Sequence, residues 1–228
     1  MRYIHPIGIH EKFVASGTYL QTDTDKGLTE WAIHEMPDGA WMIRLDRDGR
    51  NIDGMSMIAE VWRSPASEGG KIARFDIWSF SEKQHARQVK ARYFVVDNIL
   101  EMSVQIDDAP QQIQSLAFPN NGVLLLEMPL LWGFATWQMM GQGAVGKTFT
   151  CSLNIDNPSS LSPVAYEDNV MVEWVNDVQV QIGNHDMITH RYKTPYGWLW
   201  LDDLGIVVAY GDPDNPYVVQ HYARRPTK

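Results

Sequence analysis

The chain has 228 residues, 44% of them hydrophobic and including nine Trp, nine Tyr and seven Phe, so it can bury a sizeable core and is not disordered as a whole. Its formal net charge of −9 and isoelectric point of about 5.2 argue against a nucleic-acid partner, which is normally met by a basic face over a basic total. One cysteine, Cys151, excludes an intrachain disulfide framework.

The opening residues, MRYIHPIGIHEKF, contain no continuous apolar region of signal-peptide length, which makes a cytoplasmic location the default expectation. Strands are predicted over residues 13–21 and 28–36. After a turn at Pro37, Asp38 and Gly39 a third covers 41–45, with Trp41, Ile43 and Leu45 on one face. Residues 46–51 read as a turn. Their acidic spacing resembles a calcium loop, but Asn51 stands where that loop needs Gly and Met57 where it needs Glu.

Strands over 55–62 and 71–79 flank a loop at 64–70 marked by Pro, Ser and paired Gly. The clearest half-buried hairpin follows. Val89, Ala91, Tyr93 and Val95 alternate with polar residues, Asp97 and Asn98 turn the chain, and Leu100, Met102, Val104 and Ile106 alternate again. Another strand is expected over 111–118, before a turn at 119–122. Arg87, Lys90, Arg92, Arg224 and Arg225 read as solvated surface rather than a polyanion site.

Residues 123–140, VLLLEMPLLWGFATWQMM, break the period-two rhythm, and Glu127, Pro129, Gly133 and Gln138 interrupt them too often for a membrane span. Two readings stand: a buried strand followed by a short core helix starting near Pro129, or a lid or plug over an apolar cavity built from Leu130, Trp132, Phe134, Trp137 and Met140. Gly141 to Thr148 then matches the spacing of a phosphate-binding loop. That chemistry needs a helix after the loop, whereas the residues after Thr148 alternate as a strand, expected over 147–155, so the glycines are read as a connection.

The remainder reads as an antiparallel meander: strands over 170–175, 178–182, 185–192 and 198–210, the last folding back at 202–205. Turns are placed at Asn176-Asp177, Gly183-Asn184 and residues 195–197. Within it, His190 shares a strand face with Ile188 and Tyr192 and is expected to point inward, as a structural or a ligand-contacting histidine. Trp198, Trp200 and Asp202 share another face, which is either a core row or an aromatic wall ending in a polar handle. Glu127 and Glu173 are carboxylates inside apolar runs, where burial would suit them to acid-base chemistry and an exposed position would not. Cys151 reads as a small buried hydrophobe, and no histidine pair has zinc-site spacing.

The run LLLEMPLLWGFA, the return strand GKTFTCSLNID, the hairpin VQVQIGNHDMITHRY and the closing WLDDLGIVVAY together resemble the lipoprotein-carrier-like half-barrel superfamily, over roughly residues 121–212. Its members include lipid carriers, glycolipid-binding proteins and a cofactor-free pigment-pathway enzyme. The resemblance implies a long antiparallel sheet curled around one or more helices with a greasy concave face, and no shared catalytic residue to carry over. The chain is expected to depart from the carriers in lacking an export signal.

The expectation is therefore a single all-β domain over 1–228: a strongly curved antiparallel sheet or open half barrel, with a meander over 1–120, an apolar plug over 121–146 and a second meander over 147–228. The leading function is binding of a hydrophobic small molecule or lipid-like ligand in the concavity, with Trp132, Trp137, Tyr192, Trp198 and Trp200 as wall. The alternative is a cofactor-independent isomerase, cyclase or hydrolase using His190, Asp202 or Glu127 for proton transfer. An assembly protein with a filled interior is the third reading. No cofactor, nucleic acid or integral membrane segment is expected.

Overall fold

The computed structural model describes residues 1–20, 28–50, 54–81, 87–153 and 163–226. Gln21, Asn51, Asn154 and Ile155, to which predicted segments extend, lie outside the described residues. The first eight strands are β1 (Lys12–Leu20), β2 (Leu28–Glu35), β3 (Trp41–Gly49), β4 (Met55–Arg63), β5 (Ile72–Ser81), β6 (Arg87–Val96), β7 (Ile99–Ile106) and β8 (Gln112–Ala117). Each pairs antiparallel with the next. Between β6 and β7, Asp97 and Asn98 take φ of 49° and 61°, the left-handed pair that a tight two-residue hairpin needs.

The apolar run resolves into β9 (Gly122–Leu126) and α1 (Pro129–Gly141), followed by β10 (Val145–Leu153) and β11 (Pro163–Met171). β9 and β10 pair in parallel across α1. This pair is a local parallel exception within the antiparallel architecture: a helix between two strands carries the chain back to the same end of the sheet. A third sheet holds β12 (Glu173–Ile182), β13 (His185–Thr194), β14 (Gly197–Leu201), β15 (Val207–Gly211) and β16 (Pro216–Val218) in sequence order. The chain then leaves β15 at Val219, whose N–H still bonds Val208, and β17 (Gln220–Arg224) pairs with β1 at the edge of the nine-stranded sheet.

The result is an all-β fold of strongly curved antiparallel sheets with one short helix on the concave side. α1 is apolar nearly all round and is buried accordingly: Leu130, Leu131, Phe134, Ala135 and Met139 are all at most 1% exposed. It packs on β9, β10 and β15, and Phe134 meets Trp41 of β3 edge to face at 5.9 Å. At Gly133 a Cβ would lie 2.6 Å from the Gly205 carbonyl, so glycine lets the helix rest directly on the β14–β15 turn. Gly205 holds that turn at φ 80°.

Two segment boundaries differ from expectation, and three strands are additional to it. β3 runs on through Asp46 to Gly49, because Asp46, Arg47 and Asp48 find ladder partners on both sides, in β2 and β4, and two ladders outweigh local turn preference. β12 runs through Asn176 and Asp177, which pair with Arg191 and His190 after a register shift beyond Trp174. β11, β16 and β17 were not anticipated, and β17 is the strand that ties the third sheet to the first.

The outer face of the first sheet is also covered over β3 and β4. Arg44, Asp46 and Glu60 lie there, and the chain before β1 crosses over them. Arg2 grips Asp46 through Nη2 at 2.7 Å, and Glu60, fully buried, accepts the backbone N–H of Ile4 and His5 at 3.1 and 2.8 Å. His5 Nδ1 is 2.6 Å from the other Glu60 oxygen. Arg44 donates to both Glu11 oxygens at 2.7 and 2.9 Å, and its Nη1 donates to His34 Nδ1 at 3.2 Å.

Candidate functional site

Where the concave face of the first sheet meets the start of α1 and the seam with the third sheet, a cavity of about 230 Å³ opens. Thr29, Arg47 and Met57 form a row across β2, β3 and β4, being directly opposed in the ladders. Met55 lies further along β4. Leu126 ends β9, Met128 and Pro129 start α1, and Trp132 follows one turn on. Cys151 of β10 closes the floor, and Tyr19, Tyr210 and Tyr217 form the side toward β15 and β16.

Two tyrosines fix that side. Tyr19 on β1 donates to the Val207 carbonyl on β15 at 2.6 Å, and Tyr210 on β15 donates back to the Leu20 carbonyl at 2.9 Å. Their rings meet edge to face at 5.7 Å, and Tyr19 stacks on Trp31 at 5.8 Å. Burial pushes both phenols up, Tyr210 to about 12, so each stays a neutral donor. Trp132 stacks on Tyr196 with ring centroids 5.7 Å apart and planes 11° from parallel, which sets one wall.

The chemistry of the lining is apolar with one strong cation. Burial raises the Cys151 thiol well above its ordinary range, so it is a protonated wall atom and not a nucleophile. Arg47 is 8% exposed and donates Nη1 to the Met55 carbonyl at 3.0 Å. Among the described residues no three His, Cys, Asp or Glu side chains converge as a metal site would, and no helix is long and apolar enough to cross a membrane.

The residues proposed from sequence fall in different places. Glu127 and Trp132 are on the cavity, Glu127 exposed at its rim. Trp137 is five residues along α1 and hence on its other side, against Gly205 and 36% exposed. Tyr192 and Trp200 are buried in the core, and Trp198 is half-buried under Arg191 at 5.3 Å. Asp202 is buried as the keystone of the β14–β15 turn: it accepts the N–H of Leu204 and Ile206, both at 2.9 Å, the Tyr222 hydroxyl at 2.7 Å and Arg224 at 3.2 Å. His190 is not inside. It pairs with Asp177 at 2.7 Å on the outward part of the β12–β13 hairpin, where its face-mate Ile188 is 72% exposed. Glu173 is exposed on β12. The structure therefore unites Glu127 and Trp132 and leaves His190 and Asp202 elsewhere.

Arg47, Thr29, Met55, Met57, Tyr19 and Tyr210 were not singled out from sequence. One signal was present. If Trp41, Ile43 and Leu45 share the inner face of a strand, the next residue on that face is Arg47, and only the turn assigned to 46–51 concealed it. The phosphate-loop match dissolves on geometry: the helix precedes Gly141 and a strand follows, and Lys147 is paired with Glu167.

No protein-family model matches the chain, and no curated protein matches it. Among solved structures it is similar to a beta-barrel-like protein of a domain of unknown function, DUF1849, from Brucella abortus. That likeness has 9% identity over 90% of this chain and 85% of the other at a TM-score of 0.40, and no functional inference is drawn from it.

Proposed function

We propose that the protein binds a small hydrophobic molecule in the cavity beside the start of α1. The observation that carries this reading is the lining itself: Met55, Met57, Leu126, Met128 and Trp132 converge on an open space beside the start of α1. A cavity near 150 Å³ takes up benzene, so about 230 Å³ suits a single ring or a medium-length chain, not a two-chain lipid. The likeness to half-barrel carriers agrees in kind, with a sheet curled over a helix, but the space at hand is far smaller than a lipoprotein's acyl chains need. Of the three proton-transfer candidates only Glu127 reaches the cavity, and no His–carboxylate pair forms there, because His190 and Asp202 lie elsewhere.

The test is native mass spectrometry of the purified protein with extraction of whatever co-purifies, alongside titration with an environment-sensitive apolar dye. Wild type is expected to carry a ligand or light the dye, and Met57→Trp, which fills the cavity, to do neither. A wild type that is empty and leaves the dye dark, or a Met57→Trp that binds unchanged, would sink the reading.

A further inference from the structure

We propose that the protein has a second binding site, at the opposite end of β3 and β4 from the cavity above, where Arg63 receives the carboxylate of a small organic acid. Arg47, Met55 and Met57 stand where β3 ends and β4 begins, whereas Trp41 and Arg63 are the opposed pair at the start of β3 and the end of β4. Arg63 continues the inward row of Ala59 and Val61 and is only 6% exposed. Its guanidinium carbon lies 4.7 Å from the centre of the Trp41 ring and 5.0 Å from that of Phe134. Those two rings are themselves 5.9 Å apart, too close to stand on opposite sides of the group, so the guanidinium is flanked and not enclosed.

What distinguishes this arginine is the lack of a counter-charge. Nε donates to the Gly70 carbonyl at 2.9 Å, and among the described residues neither Nη has an acceptor and no carboxylate pairs with the group. Burial alone acts on it, pulling it down to about 10, so it is still a cation at neutral pH. A buried charge is normally paired, and aromatic faces offset only part of what pairing supplies. Gly70 keeps the fork open, since a Cβ there would lie 2.5 Å from Nη2, and neither Nη is sealed from solvent. One unneutralised positive charge on a planar fork matches a carboxylate, which carries a single negative charge and accepts two parallel hydrogen bonds.

The second observation is the space beside it. Trp41 also borders a cleft of about 790 Å³, within the ordinary range of small-molecule sites, whose other walls are Val14, Leu204 and Pro226 and the charged Lys12, Glu35 and Arg225. Glu35 is taken up by Arg225 at 2.8 Å, and Lys12 is exposed with no ion pair among the described residues. This end of the sheet therefore carries surplus positive charge in a chain of net −9, which draws an anion inward. Trp41, Val14 and Leu204 give the apolar part of the acid its surface.

The experiment compares benzoate with benzamide, its neutral analogue, by isothermal titration calorimetry at neutral pH and fixed chloride, on wild type, Arg63→Met, Arg63→Lys and Met57→Trp. Wild type is expected to bind benzoate at least about tenfold tighter than benzamide. Arg63→Met should lose that preference, and Arg63→Lys, which keeps the charge without the fork, should keep only part of it. Met57→Trp, which fills the first cavity, should keep all of it. Equal binding of the two by wild type, binding of neither, an Arg63→Met or Arg63→Lys protein with the full wild-type preference, or loss of the preference in Met57→Trp overturns the proposal. The reading of the first cavity stands or falls on its own dye and extraction test. If Arg63→Met fails to fold, the wild-type ratio, Arg63→Lys and Met57→Trp still decide.

Discussion

The two faces of β3 and β4 are equally hidden from solvent and held there by opposite means. Inward, Ile43, Leu45, Ala59 and Val61 are all 0% exposed and belong to one apolar core with α1. Outward, Arg44 and Glu60 are 1% and 0% exposed, and they are covered by the chain before β1, which brings Arg2, His5 and Glu11 as partners. The inner face is stabilised by removal of apolar area from water and tolerates loss of shape in proportion to the cavity made. The outer face is a closed set of charges in which each member is needed to make the others tolerable.

Removing one charge should therefore be the most damaging change. Glu60→Ala leaves Arg44 without one of its two carboxylates and strips the acceptor from Ile4 and His5, so urea denaturation is expected to show a loss of about 3–5 kcal/mol. On the inner face Leu45→Ala is expected to cost about 3 kcal/mol, the ordinary penalty of a core truncation. If the inner truncation proved much the costlier, the outer network would be ornament. Gly133→Ala probes overpacking at the helix-to-turn contact and should cost about 1–3 kcal/mol in the same assay.

The two faces should also separate by pH. Burial, and next the Arg44 charge, lower the His34 imidazole. Burial pushes the Glu11 carboxyl up, but the Arg44 and Gly8 hydrogen bonds outweigh it, and the net shift is downward. Both groups bind fewer protons folded than unfolded, so their stabilisation is lost on acidification, from His34 below its ordinary 6.5 and from Glu11 below 4.5. Tyr19, Tyr93 and Cys151 on the inner side are raised by burial and bind more protons folded. Their contribution is intact below 9.0 and fades as pH rises through the ordinary thiol and phenol values of 9.0 and 10.0. His34→Gln should flatten the stability slope between pH 5 and 7 and leave the alkaline limb alone, as urea midpoints across pH would show. At the small end, His190→Ala removes only a solvent-facing pair with Asp177 and should shift stability by less than about 1 kcal/mol.

The same contrast explains what could be read in advance. Alternation in β6 and β7, and the turn residues Asp97 and Asn98, are local signals, and the hairpin emerges where they place it. The strand and helix within the apolar run were legible because Pro129 suits a first helical turn. Alternation marks Arg44 and Glu60 as polar but says nothing of whether they meet water. That depends on a segment dozens of residues earlier folding over them. The cavity was legible only in part, in Trp132 and Glu127, because it is assembled from β1, β4, β9, β10 and β15, and no local pattern carries such a meeting. His190 was misplaced for a related reason: β13 keeps its period while running from the core, at Tyr192, out past it, at Ile188.

The corner at Val219 has a consequence in time. β17 follows every other strand in chain order, yet its partner is the first strand, with Thr18 opposite Gln220. At roughly 5–20 residues per second of synthesis, on the order of 10–40 s separates the emergence of those two positions from a ribosome. Throughout that interval β1 presents an unpaired row of main-chain donors and acceptors on the side that β17 will occupy, open to any neighbouring nascent chain. Closing this seam thus waits on β17, and the strand that secures the seam beside the cavity is also the one that covers that edge of β1.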